Sequence, residues 1–187
     1  MSTATGIAII VAIVAIAIAI WATLRMRNTA RLKSKFGPEY DHAVQQAGDR
    51  TRAEAELTKR EKRVNKFRIR ELNPQERRRF ADAWTKEQSR FVDDPKTAVL
   101  NADALVGELM TARGYPMGDF QTQAEDISVD HPQVIGHYRE AHDVAELCRR
   151  GQGDTEAMRR SMVHYRALFE DLLGSSVVDR QHEEVTR

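Results

Sequence analysis

The hydrophobic pattern divides this chain into two unequal regimes. Residues 7–24 read Ile-Ala-Ile-Ile-Val-Ala-Ile-Val-Ala-Ile-Ala-Ile-Ala-Ile-Trp-Ala-Thr-Leu, with no charge, proline or glycine. At a helical rise of about 1.5 Å, that run spans roughly 27 Å, close to the hydrocarbon thickness of a bilayer. A lipid-exposed segment must satisfy its own backbone hydrogen bonds, so the run is expected to be a transmembrane helix despite its β-branched content. Trp21 near its end suits the membrane interface. A cleaved signal peptide would want a basic leading stretch and a shorter apolar core, and Met1 to Gly6 carry no Lys or Arg.

Downstream, apolar residues recur at helical spacing on one face only. Gly37-Pro38 marks a boundary, and 38–67 is expected to be helical under dense mixed charge. Tyr40, Val44 and Ala47 share a face before Gly48; Ala53, Leu57, Arg60, Val64 and Phe67 follow. Asn73-Pro74-Gln75-Glu76 has the form of a capping box, and Phe80, Trp84, Glu87 and Phe91 then form a stripe. Asp94-Pro95 opens a broad apolar face, Ala98 to Met110, which Arg113-Gly114 closes. A short helix is expected over 119–127, then one capped by Asp130 with Val134 to Cys148 as its inner face. The last, capped by Asp154 or Thr155, buries Met158, Met162, Tyr165, Leu168, Phe169 and Leu172. No strand-like alternation competes outside the first run, and short connections favour neighbouring antiparallel helices.

The expected fold is therefore all-α: an N-terminal transmembrane helix, a charged helical arm and an antiparallel helical bundle. The divisions are 1–6 as a short extracytoplasmic N-terminus, 7–24 as the span, 25–37 as a basic juxtamembrane segment, 38–72 as the arm, 73–174 as the bundle and 175–187 as a disordered tail.

Charge adds an orientation. Arg25, Arg27, Arg31, Lys33 and Lys35 follow the span directly. Positive flanks stay cytoplasmic, so the N-terminus is expected outside and the rest inside, at a bacterial inner membrane, with these five side chains against its surface. The formal charge of +1 hides a gradient: residues 25–79 hold 17 Lys/Arg against 8 Asp/Glu, and residues 80–187 hold 12 against 20. A basic base suits an anionic surface that an acidic distal region avoids. The single cysteine, Cys148, falls on an apolar helical face and reads as a packed thiol.

Little of this points to chemistry. His131, His137, His142 and His164, with nearby acids, are the candidates for a metal or catalytic cluster over 130–164. His137 and His142 lie about 140° apart on a helix, and the pairs that helical metal sites use are missing. No phosphate loop, nucleophile–base order or dinucleotide fingerprint is present. The reading is accordingly no catalytic residue, no metal and no cofactor. The basic run 59–79 lacks the exposed aromatics of a nucleic-acid surface, which disfavours nucleic acid. The loop around Tyr115, Pro116, Met117 and Phe120 places large apolar groups in a connector, either tucked into the bundle or offered to a partner.

The stretches Phe36-Gly37-Pro38-Glu39-Tyr40-Asp41, Phe91-Val92-Asp93-Asp94-Pro95, Arg113-Gly114-Tyr115-Pro116 and Met162-Val163-His164-Tyr165-Arg166 resemble a family of bacterial proteins of unassigned function. Those proteins are built from an N-terminal hydrophobic segment and a helical soluble region. The resemblance implies a bacterial, membrane-anchored chain, and with no activity known for that family it carries over no function. The leading expectation is a non-enzymatic interaction or scaffold protein, partnered by the bilayer and by another protein or itself. Anionic-lipid sensing or envelope organisation stands second, and an enzyme or metal protein using the 130–164 cluster third.

Overall fold

The computed structural model describes residues 3–174, with side chains described at residue 10 and from residue 12 onward. The expected tail over 175–187 lies outside the described residues. Among them are eight helices and no strand: α1 (Thr3–Phe36), α2 (Pro38–Ala47), α3 (Arg50–Val64), α4 (Pro74–Arg90), α5 (Pro95–Arg113), α6 (Phe120–Asp130), α7 (Ile135–Arg149) and α8 (Thr155–Leu173).

Local chemistry sets the helix ends. Asn73 and Glu76 form a reciprocal capping box: the Glu76 amide donates to Asn73 Oδ1 at 2.8 Å, and the Asn73 amide to Glu76 Oε2 at 2.9 Å. Asp94, Asp119 and Asp154 each accept the amide three residues on, satisfying donors that a helix start leaves free. Two expectations give way here. The helix read over 38–67 is two helices, because Gly48 adopts a left-handed φ of 68° and ends α2. Asp130 does not start a helix. It is the last residue of α6, and its carboxylate accepts the Tyr115 hydroxyl at 2.7 Å, while α7 begins at Ile135.

The chain forms two compact units, residues 1–58 and 59–187, divided within α3. In the first, Leu32, Phe36, Tyr40, Ala43 and Ala53 are buried. The second holds the bundle, where α8 packs along α7 and α5, and α5 also packs against α4. Its core is the set that the periodicity picks out: Phe80 and Trp84 of α4, Val99, Ala102, Val106 and Leu109 of α5, Tyr138 and Ala145 of α7, Tyr165, Leu168 and Phe169 of α8. Trp84 and Phe169 stack at a centroid distance of 4.8 Å. Side chains of this size each contribute several kcal/mol through burial and packing. Gly114 ends α5 at φ 101°, and a Cβ there would sit 2.4 Å from the Arg68 carbonyl oxygen. The connector before α4 is thus pressed against the end of α5, with the Arg70 amide donating to the Arg113 carbonyl at 2.8 Å.

The opposite condition holds along α1. Over Ala12–Phe36 this helix is long and apolar enough to cross a membrane, and 6% of the apolar window there is buried within the protein. Ile10, Ile13, Val14, Ile16, Ile18, Ile20, Trp21 and Leu24 are each more than half exposed.

Candidate functional site

Three polar constellations stand out, one in the first unit and two in the bundle. The first lies just after the apolar run. At 100° per residue the five cations spread around α1, with Arg25 and Lys33 toward one side, Arg27 and Arg31 on the other, and Lys35 between Arg31 and Arg25. Arg25 donates to the Thr51 hydroxyl at 2.5 Å and lies 5.3 Å over the Trp21 ring. Lys33 lies 5.3 Å over the ring of Tyr40, while Arg31 reaches back to Asn28 at 3.4 Å.

Beneath them Glu54 is buried. One oxygen accepts the hydroxyls of Thr29 (2.7 Å) and Tyr40 (2.8 Å) and the Nε of Arg50 (3.1 Å). Burial alone would raise the Glu54 carboxyl, but these donors outweigh it and hold it below the usual range. Trp21, Arg25, Met26, Lys33 and Arg50 bound a groove of about 550 Å³, whose walls are mostly apolar. Glu54 and Arg50 were not singled out from sequence. The available signal was an acid set among the buried positions Ala53 and Leu57.

The second constellation is a buried acid in the middle of α5. Asp103 shares its stripe with Val99, Val106 and Met110, and is matched by polar groups from two other helices. Its carboxylate contacts His142 Nδ1 at 3.0 Å, accepts the Tyr165 hydroxyl at 2.7 Å, and pairs with Arg149. Burial would raise this carboxyl too; the bonds from His142, Tyr165 and Arg149 overcome that and lower it. Phe120 covers His142 in a parallel stack at 3.6 Å. The arrangement ties α5, α7 and α8 together, with Arg149 also pairing with Glu146. Nearby, His131 Nδ1 meets Asp171 at 2.5 Å.

Third, the structure brings together three members of the 130–164 cluster. Glu140 follows His137 by one helical turn on α7, and α8 supplies His164. Their ligand atoms lie within 4.8 Å of one another, so these are the described residues that could hold a metal ion. His164 Nε2 is 3.2 Å from Glu140, and its ring stacks on His137 at 4.8 Å. Burial pushes the His164 imidazole down, as do His137 and Arg160, against the pull of Glu140.

The loop residues separate. Tyr115 is buried and bonded to Asp130, which removes it from any contact surface; Phe120 is half-buried on His142; Pro116 and Met117 are exposed. Of the basic run 59–79, Arg60 and Arg63 pair with Glu125, Arg63 also bonds Asp126 at 2.6 Å, and Arg70 forks onto Glu76. Cys148 is a buried free thiol, and burial raises it. No family model, curated protein or solved structure matches this chain.

Proposed function

We propose that this is a single-pass protein of a bacterial inner membrane. Its N-terminus is outside, and it holds a helical domain at the cytoplasmic face as a non-enzymatic interaction or scaffold module. One observation carries the reading: the longest apolar run in the chain is a continuous helix whose large side chains, among the described residues, are each more than half exposed. A core helix would bury that surface. Left in water, at roughly 25 cal/mol per Å², eight large apolar side chains would cost many kcal/mol, and lipid removes the cost.

The orientation rests on the five cations that follow the run. The non-enzymatic reading is supported by the buried titrating groups, which bond to one another within the bundle. Pro116 and Met117, exposed at a loop tip on a packed scaffold, are our choice for a partner contact. Fusing a fluorescent protein that matures only in the cytoplasm, or alkaline phosphatase that is active only outside it, to the C-terminus tests the topology. Fluorescence without phosphatase activity is expected, and the reverse pattern would overturn the orientation.

A further inference from the structure

We propose that the groove beside residues 21–33 of α1 is a binding site for one anionic glycerophospholipid. Its phosphate would lie among Arg25, Lys33 and Arg50, and its chains would run toward Ala22 and Met26. This inference rests on the membrane anchor proposed above and gives it a specific lipid contact.

Depth is the first argument. Arg25, Thr29 and Lys33 lie one, five and nine residues beyond the apolar run, or about 1.5, 7.5 and 13.5 Å along the helix. Headgroups occupy roughly 5–8 Å on each side of the hydrocarbon, so the middle of the groove falls at phosphate depth, and the long stem of Lys33 can reach back toward it. Shape is the second. The groove has about 550 Å³ of space and walls that are mostly apolar, with Ala22 and Met26 toward the anchor. That suits the glycerol end of a lipid better than a free, hydrated anion.

Charge is the third. Three cations line this groove, while Glu54, the acid next to it, is buried and already occupied by Thr29, Tyr40 and Arg50. Arg25 and Arg50 keep guanidinium groups exposed at the rim, and their planar donors match phosphate oxygens. Arg27 and Arg31 lie on the other side of α1. They would feel an anionic surface without entering the groove, and this separates a site from a diffuse field.

The test uses the full chain in a mild non-ionic detergent, stripped of lipid. It is titrated with phosphatidylglycerol, phosphatidylcholine or inorganic phosphate, and bound molecules are counted by native mass spectrometry. One phosphatidylglycerol is expected to be retained in preference to phosphatidylcholine, with no displacement by millimolar phosphate. Replacing Arg25→Gln together with Lys33→Gln should weaken retention about tenfold or more, whereas Arg27→Gln with Arg31→Gln should change it less than twofold. All four side chains are exposed, and an unchanged melting temperature confirms that the variants fold. Equal losses from the two pairs, equal retention of the two lipids, or displacement by phosphate would each overturn the site. A chain that fails this test yet stays with carbonate-washed membranes loses the lipid site alone; a chain released by the wash loses the anchor as well.

Discussion

α1 and α5 are both long, apolar helices, yet they meet opposite surroundings. In α5, Val99, Ala102, Val106, Leu109 and Met110 are almost wholly buried by protein, and Asp103, an acid on the same face, has three polar partners. Along α1, Ile10, Ile13, Val14, Ile16, Ile18, Ile20, Trp21 and Leu24, as hydrophobic or more so, are each more than half exposed. Apolar composition alone does not distinguish the two helices; what covers the side chains does. In α5 an ionisable group is tolerated because its bonds outweigh the burial penalty. In the proposed span, an ionisable group at the middle of α1 would have only lipid around it.

The sharpest way to break this contrast is to exchange the insults. Ile13→Asp with Ile16→Asp puts two carboxylates near the centre of the run, each costing about 3 kcal/mol of insertion. Membrane retention should collapse, with the melting temperature of the soluble region unchanged. Ile127→Asp, at a fully buried position of α6, should do the reverse, unfolding the bundle while the anchor still pellets with membranes. Fractionation read beside circular dichroism checks both.

Next in size is Asp103→Ala, which leaves the buried Tyr165 hydroxyl and the Arg149 and His142 donors without their shared acceptor. It should cost about 3 kcal/mol in urea unfolding. Because the bonds from His142, Tyr165 and Arg149 outweigh burial and hold the Asp103 carboxyl below its ordinary value, its contribution is complete above the ordinary carboxylate range. It is lost as pH falls through the lowered value, so the variant should be less sensitive to acid than the parent. Gly114→Ala should cost about 2 kcal/mol or more, since φ 101° is strained for any side chain and the Cβ meets the Arg68 carbonyl.

The smallest effect is at the start of α4, where Asn73→Ala should cost about 1 kcal/mol in thermal unfolding. There the Arg70 guanidinium, with the Asn73 amide, holds Glu76 at about 2 rather than 4.5. A lowered carboxyl stabilises above its unfolded value and loses that contribution as pH falls from 4.5 toward 2. Glu76→Gln should flatten the parent's acid dependence in that window.

Much of the helical plan was legible because helix ends announce themselves locally. Asn73 with Glu76, Asp94 before Pro95 and Asp154 each cap where their sequence context indicates. The buried stripes of α4, α5, α7 and α8 follow from 3.6-residue spacing. The sites were less legible, because their partners are remote in sequence. Asp103 meets His142 and Tyr165 from positions 39 and 62 residues away, so the acid on an apolar face was visible and its purpose was not. Asp130 misled for the same reason: it sits beside Pro132 in a cap-like context, but the Tyr115 hydroxyl, 15 residues away, holds it instead. The five cations after the span read as one cluster, although the geometry of α1 divides them and brings in Arg50. His137, Glu140 and His164 were visible as types, but their convergence depends on α7 packing along α8.

The proposed anchor requires α1 to be embedded in lipid and retained in the cellular protein. The direct test is the intact mass of the protein recovered from cell membranes washed with alkaline carbonate. The prediction is a species in the membrane pellet whose mass includes residues 7–24. A species that carries residues 7–24 but appears in the supernatant, or one that begins beyond Leu24, would contradict it.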